Sequence, residues 1–153
     1  TAGSLGKRLS EIGAELLIET LPAYISKSIT PKKQPEQGIT YAPMLKKEDG
    51  RLDFNQPAQD LERKIRAFNP WPGAFTIWRG SPMRILKSHV LASKDAKSNF
   101  LKAGATTVID QKPAVKTIDH LLILDEIQPA GKKVMAGKVF LQGARGWGND
   151  ILE

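Results

Sequence analysis

The sequence predicts a mainly β fold, five short antiparallel strands with flanking helices, and three observations carry that prediction. Between residues 75 and 127, apolar and β-branched runs recur at close spacing, separated by turn signals. Just before them, Asn69-Pro70-Trp71-Pro72-Gly73 divides an amphipathic helical pattern from the first of these runs. Further upstream, residues 26–50 are polar and punctuated by Pro31, Pro35, Gly38 and Pro43, the composition of an extended linker. Five strands of this length and spacing suit a small, partly open barrel of the OB type.

Each element has its own warrant. From Ser4, a candidate N-cap, to about residue 20, Leu5, Leu9, Ile12 and Leu16 share one helical stripe. Pro22 sets a boundary or a kink at Leu21. A lone helix of this length is only marginally stable in water, so its apolar face calls for a partner. Within the linker, Ile39-Thr40-Tyr41-Ala42 reads as a short strand or an anchor against a neighbour. Lys46-Lys47 beside Glu48-Asp49 leaves the local charge near zero, which fits a solvated turn as well as a phosphate contact. Asn55 or Gln56 then caps a second helix with Pro57 in its first turn, and Leu61, Ile65 and Phe68 mark its buried face. Asp60 with Lys64, and Glu62 with Arg66, have the acid-before-base i,i+4 spacing that supports a helix. Arg66 is read as a tie for loose carbonyls at the corner, with a phosphate contact as the alternative.

Pro70 and Pro72 stop the helix, because each lacks an N–H and biases its predecessor toward extended geometry. Gly73 turns the chain into the first strand, residues 75–78. Arg79-Gly80-Ser81-Pro82 is a hairpin signal leading to a second strand at 83–91, followed by a charged loop at 94–99. The remaining strands are expected at 106–110, 114–118 and 121–127. Trp78 is a core residue or a stacking platform. Residues 133–141 are expected to hold one closing helical turn and residues 146–153 to fray.

The chemistry that the sequence excludes is extensive. The chain has no cysteine, so disulfides, thiolate metal sites and thiol nucleophiles are ruled out. No apolar run approaches ~18 residues, and the first residues do not have the pattern of a signal peptide. His89 and His120, the two histidines, stand apart from any carboxylate or Ser spacing that suggests a relay, and read as structural. No metal-ligand spacing, phosphate-binding glycine loop or dinucleotide fingerprint is present. What remains is recognition. A net charge of +7 favours either a polyanionic partner or plain solubility. OB-type barrels bind nucleic acid where basic side chains bracket exposed aromatics. The candidate contacts are Lys46 and Lys47 on the linker; Arg79, Arg84 and Lys87 on or beside the first hairpin; Lys112 and Lys116 on the hairpin of the third and fourth strands; and Lys132 and Lys133 beyond the fifth.

Three ordered runs resemble a known family. Arg66-Ala67-Phe68-Asn69-Pro70-Trp71-Pro72-Gly73-Ala74-Phe75 is similar to the signature of the C-terminal domain of methionyl-tRNA formyltransferases, within the folate-dependent formyltransferase family. The run from Gln37 to Asp49 followed by Leu52-Asp53-Phe54 resembles that family's linker. Leu124-Asp125-Glu126-Ile127-Gln128-Pro129-Ala130-Gly131-Lys132-Lys133 resembles its last strand and following turn. The resemblance implies a terminal helix and tail of a catalytic domain at 1–34, a linker at 35–52 and the OB-like domain at 53–145. It implies initiator Met-tRNA and the N-terminal catalytic domain as partners, no membrane, and a bacterial cytoplasmic setting, with an organelle matrix as the alternative. It implies 10-formyltetrahydrofolate as the parent enzyme's formyl donor, with no cofactor bound by this chain. The family's catalytic Asn-His-Asp set and Ser-Leu-Leu-Pro loop lie in the N-terminal domain, and no residue here matches them, so this chain alone is expected to be inactive. The opening on a helix without Met is read as a piece of something longer. An alternative parent is a formyltransferase acting on sugar nucleotides, with this region as an assembly module. Two departures from the family pattern stand out. Ala103-Gly104-Ala105-Thr106 replaces a Pro-Gly-Thr, and Thr117-Ile118-Asp119-His120 replaces a glycine-containing turn.

Overall fold

The computed structural model describes residues 1–92 and 101–152, so the charged loop expected at 94–99 lies outside the described residues. The chain divides into two compact units, Ala2–Leu45 and Lys46–Glu153. In the first, helix α1 spans Ala2–Ile25 and carries Pro22 inside it. The helix therefore begins before Ser4 and continues a turn beyond the boundary expected at Leu21. Its end explains the extension. Lys27 takes a left-handed φ of 59°, its N–H donates to the Tyr24 carbonyl, and the Ser28 N–H donates to that of Ala23. These two bonds satisfy the last carbonyls in a Schellman arrangement, and the Ser26 and Ser28 hydroxyls also donate to Ala23. No residue of α1 is buried. Ile39-Thr40-Tyr41-Ala42 forms no strand, and Tyr41 is 88% exposed.

The second unit opens with a 3₁₀ turn at Lys47–Gly50, closed by the Asp49 carboxylate accepting the Lys46 N–H at 2.7 Å. Helix α2 follows at Ala58–Ala67 and buries Ala58, Leu61 and Ile65. Pro57, rather than Asn55 or Gln56, is the N-cap residue, and its side chain has nothing to offer the exposed N–H groups. The missing acceptor comes from 61 residues away: Asp119 Oδ1 takes the Ala58 N–H at 2.9 Å. Of the two predicted helix ion pairs, Glu62–Arg66 forms at 2.6 Å. Asp60 instead pairs with Arg63, while Lys64 donates to the Arg51 carbonyl.

Six strands form one antiparallel sheet: β1 (Ala74–Trp78), β2 (Ser81–Leu91), β3 (Thr106–Ile109), β4 (Lys112–Lys116), β5 (Leu121–Pro129) and β6 (Met135–Ala136). The order is β1-β2-β5-β4-β3, with β6 paired to β5. The five expected strands are present, and the short β6 is additional. Arg79-Gly80 and Asp110-Gln111 close two hairpins, all four residues at positive φ as two-residue turns of this twist require. Helix α3 (Gly137–Gly143) follows β6. Leu52, Phe54, Leu61, Ile65, Met83, Ile85, Leu122, Leu124 and Ile127 join α2 to the sheet in one core, which extends through Phe140 to Trp147 and Leu152.

Residues 147–152 pack against the domain rather than fray. Trp147 and Leu152 are buried, the Trp147 indole donates to the Thr107 carbonyl at 2.8 Å, and the Leu152 N–H donates to that of Gly104 at 2.8 Å. A Cβ at Gly104 would come within 2.8 Å of the Leu152 carbonyl oxygen, so glycine at this position lets the tail pass. The turn that lacks the family's glycine also closes without strain. None of its four residues has positive φ, and the Asp119 carboxylate does the organising. Asp119 accepts the Thr117 hydroxyl at 2.8 Å and the His120 N–H at 2.7 Å, besides capping α2. Burial opposes its ionisation, but these three donors prevail and hold the carboxyl below its usual range.

Candidate nucleic-acid interface

The double-proline corner is built to hold an open groove. After α2, the Gly73 N–H returns to the Phe68 carbonyl at 2.9 Å, and the Asn69 amide donates to the Leu86 carbonyl at 3.2 Å. Gly73 has φ 89°, and a Cβ there would approach Arg84 Nη2 to 2.6 Å. A side chain at Gly50 would collide with the Gly73 carbonyl oxygen. The two glycines thus bring Arg84 and the Lys47 turn against the corner. Arg84 Nη2 donates to the Pro70 carbonyl at 3.2 Å.

The result is a groove of about 840 Å³. Pro70, Trp71 and Pro72 line it together with Gln128, Pro129, Ala130 and Gly131, and Lys47, Glu48, Gly73, Phe75, Pro82 and Arg84 complete it. The three runs that carried the family resemblance meet here. Trp71 is 60% exposed. Leaving that much of an indole in water forgoes about 2–3 kcal/mol of burial, on the usual area scale.

The candidate basic residues separate into two groups. Lys47 and Arg84 line the groove, Lys46 precedes Lys47, and Lys132 and Lys133 directly follow Gly131, all of them exposed. The Lys132 carbonyl accepts the Gln128 side-chain amide at 3.1 Å, which ties that turn to β5. Lys87 is exposed on β2, where the register with β5 shifts. The other three are committed to the protein itself. Arg79 makes a two-bond pair with Asp150 at 3.0 and 3.3 Å, and its guanidinium lies 5.2 Å from the Trp78 ring. The Trp78 indole and Arg79 together hold the Asp150 carboxyl below its ordinary range. Lys112 pairs with Asp125 at 2.8 Å. Lys116 is 5% exposed, with its ammonium donating to the Asp119 carbonyl, so it offers no open charge to a ligand. Trp78 belongs to the core: it meets Phe140 and Trp147 edge-on at 5.0 and 5.6 Å.

One cluster escaped the sequence reading. His89 Nδ1 lies 2.7 Å from Asp125 Oδ2, and Lys112 holds the other oxygen. Lys87 pairs with Glu126 and Ser88 with Leu124, so Asp125 is the extra residue of a bulge on β5, reached from β2 and from β4. Burial raises its carboxyl, and the bonds to His89 and Lys112 more than reverse that. Nothing in linear order signals this meeting, since 36 residues separate His89 from Asp125. Among the described residues, no group of three or more His, Asp or Glu side chains is arranged to hold a metal.

The profile of the formyl transferase C-terminal domain family matches residues 44–145. The chain belongs to that family. Its curated relatives include proteins named methionyl-tRNA formyltransferase. That from Roseiflexus castenholzii is 40% identical over 98% of this chain and 47% of its own length. That from Chloroflexus aurantiacus is 44% identical over 93% of this chain and 45% of its own. That from Bacillus subtilis is 38% identical over 98% of this chain and 47% of its own. The chain thus spans about half the length of the formyltransferases it matches. Among solved structures, a variant of HypX from Aquifex aeolicus superposes with a TM-score of 0.61 at 18% identity, covering 89% of this chain and 24% of that one. HypX in complex with tetrahydrofolic acid gives 0.60 over the same shares. At that identity the likeness is one of fold.

Proposed function

We propose that this chain is the C-terminal, tRNA-binding part of a methionyl-tRNA formyltransferase, working in the cytoplasm. In this reading, residues 1–34 are the last helix and tail of the catalytic domain, 35–52 the linker, and the following sheet domain grips the body of initiator Met-tRNA. The catalytic domain of the same polypeptide transfers the formyl group from 10-formyltetrahydrofolate to the amino group of the methionine. The observation that carries the proposal is the convergence of Lys47 and Arg84 in a groove lined by Pro70-Trp71-Pro72 and Gln128-Pro129-Ala130-Gly131. Lys46, Lys132 and Lys133 adjoin it in sequence, Lys87 adds an exposed cation on β2, and the +7 balance of the chain supplies a field that attracts polyanions. Such contacts go to phosphates, which position an RNA without reading its sequence.

Titration of the chain with tRNA at two salt concentrations tests this. Six phosphate contacts give a log–log salt slope of roughly −4 to −5. Binding that does not change with salt, or no binding at the lower salt, contradicts the proposal.

A further inference from the structure

We infer that the groove is a seat for one unpaired nucleotide, its base stacked on Trp71 and its phosphate held by Arg84 and Lys47. The inference rests on the RNA-binding reading and says which part of the RNA enters. Three features of the site point to it. Trp71 is the one aromatic among the large, strongly exposed apolar side chains described in the second unit, whereas Trp78 and Trp147 pack in the core. Its backbone is restricted from both sides by prolines, so that part of the chain has little freedom to lose on binding. The corner that carries it is bonded to Arg84 through the Pro70 carbonyl.

The chemistry of the groove selects the occupant. A flat aromatic face beside two cations is complementary to a planar base joined to a phosphate. Stacking on aromatic side chains is how proteins hold splayed-out bases of single strands, and it tolerates any base, since each has a π-face. A duplex presents edges and phosphates but keeps its base faces covered. The volume of about 840 Å³ lies within the roughly 300–1,000 Å³ of pockets for small molecules, a class that includes a nucleotide. Among the described residues, no carboxylate pairs with Arg84, although Glu48 also lines the groove. The guanidinium therefore keeps N–H donors for a ligand, beyond the one given to Pro70.

The test uses the whole 153-residue chain with a single-stranded oligoribonucleotide and a blunt RNA duplex of equal phosphate number, at one low salt concentration. The single strand should quench tryptophan emission, and Trp71→Phe should remove the quench while leaving most of the binding. Trp71→Ala should melt like the parent chain and weaken single-strand binding by about 5- to 100-fold, with duplex binding within about twofold. If Trp71→Ala binds both RNAs as the parent does, the stacking seat is wrong and the phosphate-binding reading stands. If the parent binds neither RNA, both fall. Quenching by tetrahydrofolate with none by the oligonucleotide also overturns the inference, because the planar occupant is then a folate.

Discussion

Two corners of the sheet domain hold the same pair of residue types and use them oppositely. At the carboxyl-terminal corner, Trp78 is half-buried against Phe140 and Trp147, and Arg79 is spent on Asp150. At the groove, Trp71 stands mostly in solvent, and among the described residues Arg84 bonds to a backbone carbonyl and to no carboxylate. The difference is one acidic residue. Asp150 accepts both the Trp78 indole N–H and the Arg79 guanidinium, which converts an Arg–Trp pair into a structural clamp. At the groove, Trp71 and Arg84 have no such carboxylate between them among the described residues, and in the proposed reading they are left for RNA. Residue type alone does not separate the two cases; the third residue does, and it lies 71 positions from Arg79 in sequence.

The sharpest break of this comparison is at the buried corner. Trp147→Ala should destabilise the domain by about 3–5 kcal/mol, since it empties a packed aromatic site and removes the indole's bond to the Thr107 carbonyl. Chemical denaturation measures it, and a loss below about 1 kcal/mol means that the tail is frayed after all. Next in size is Asp119→Ala. Loss of its helix cap and turn bonds should cost about 1–2 kcal/mol at neutral pH. Because the folded-state carboxyl is depressed, its contribution is present above the ordinary carboxylate range and fades as pH falls through the folded value. Stability of parent and variant should therefore converge in acid, and a gap that persists at low pH counts against the ionised cap. Smaller still is the effect of Lys46→Ala with Lys47→Ala. The double variant should melt normally while its RNA salt slope flattens by up to about two units. An unchanged slope makes these lysines part of a solvated turn.

The sequence made local structure legible and left the meetings of distant residues dark. The corner was readable because two prolines and a glycine restrict the backbone whatever surrounds them. The strands were readable because their apolar runs are bounded by turn residues. β6 was hidden because two residues next to Lys132-Lys133 carry no periodicity. The packed tail was hidden because Gly143, Gly146 and Gly148 look like loosening, and only Trp147 argued otherwise. Asp119 is the clearest case. Its turn lacks the glycine of the family pattern, yet the carboxylate closes that turn and caps a helix begun far upstream. In the site, the candidate cations lie on the linker or near strands. Lys112, Lys116 and Arg79 met partners that only the fold supplies, whereas Lys47, Arg84, Lys132 and Lys133 remained at or beside one groove.

The contrast between the two arginines gives the most direct measurement of all. Parent chain, Arg84→Ala and Arg79→Ala are titrated with tRNA across a range of salt, and the log–log slopes are compared. Arg84→Ala should reduce the slope by about one unit, the share of one phosphate contact. Arg79→Ala should leave the slope as it is and lower the melting temperature instead, because its charge is already taken by Asp150. Equal slope changes in both variants, or a change in Arg79→Ala alone, would contradict the assignment of the groove as the face that meets RNA.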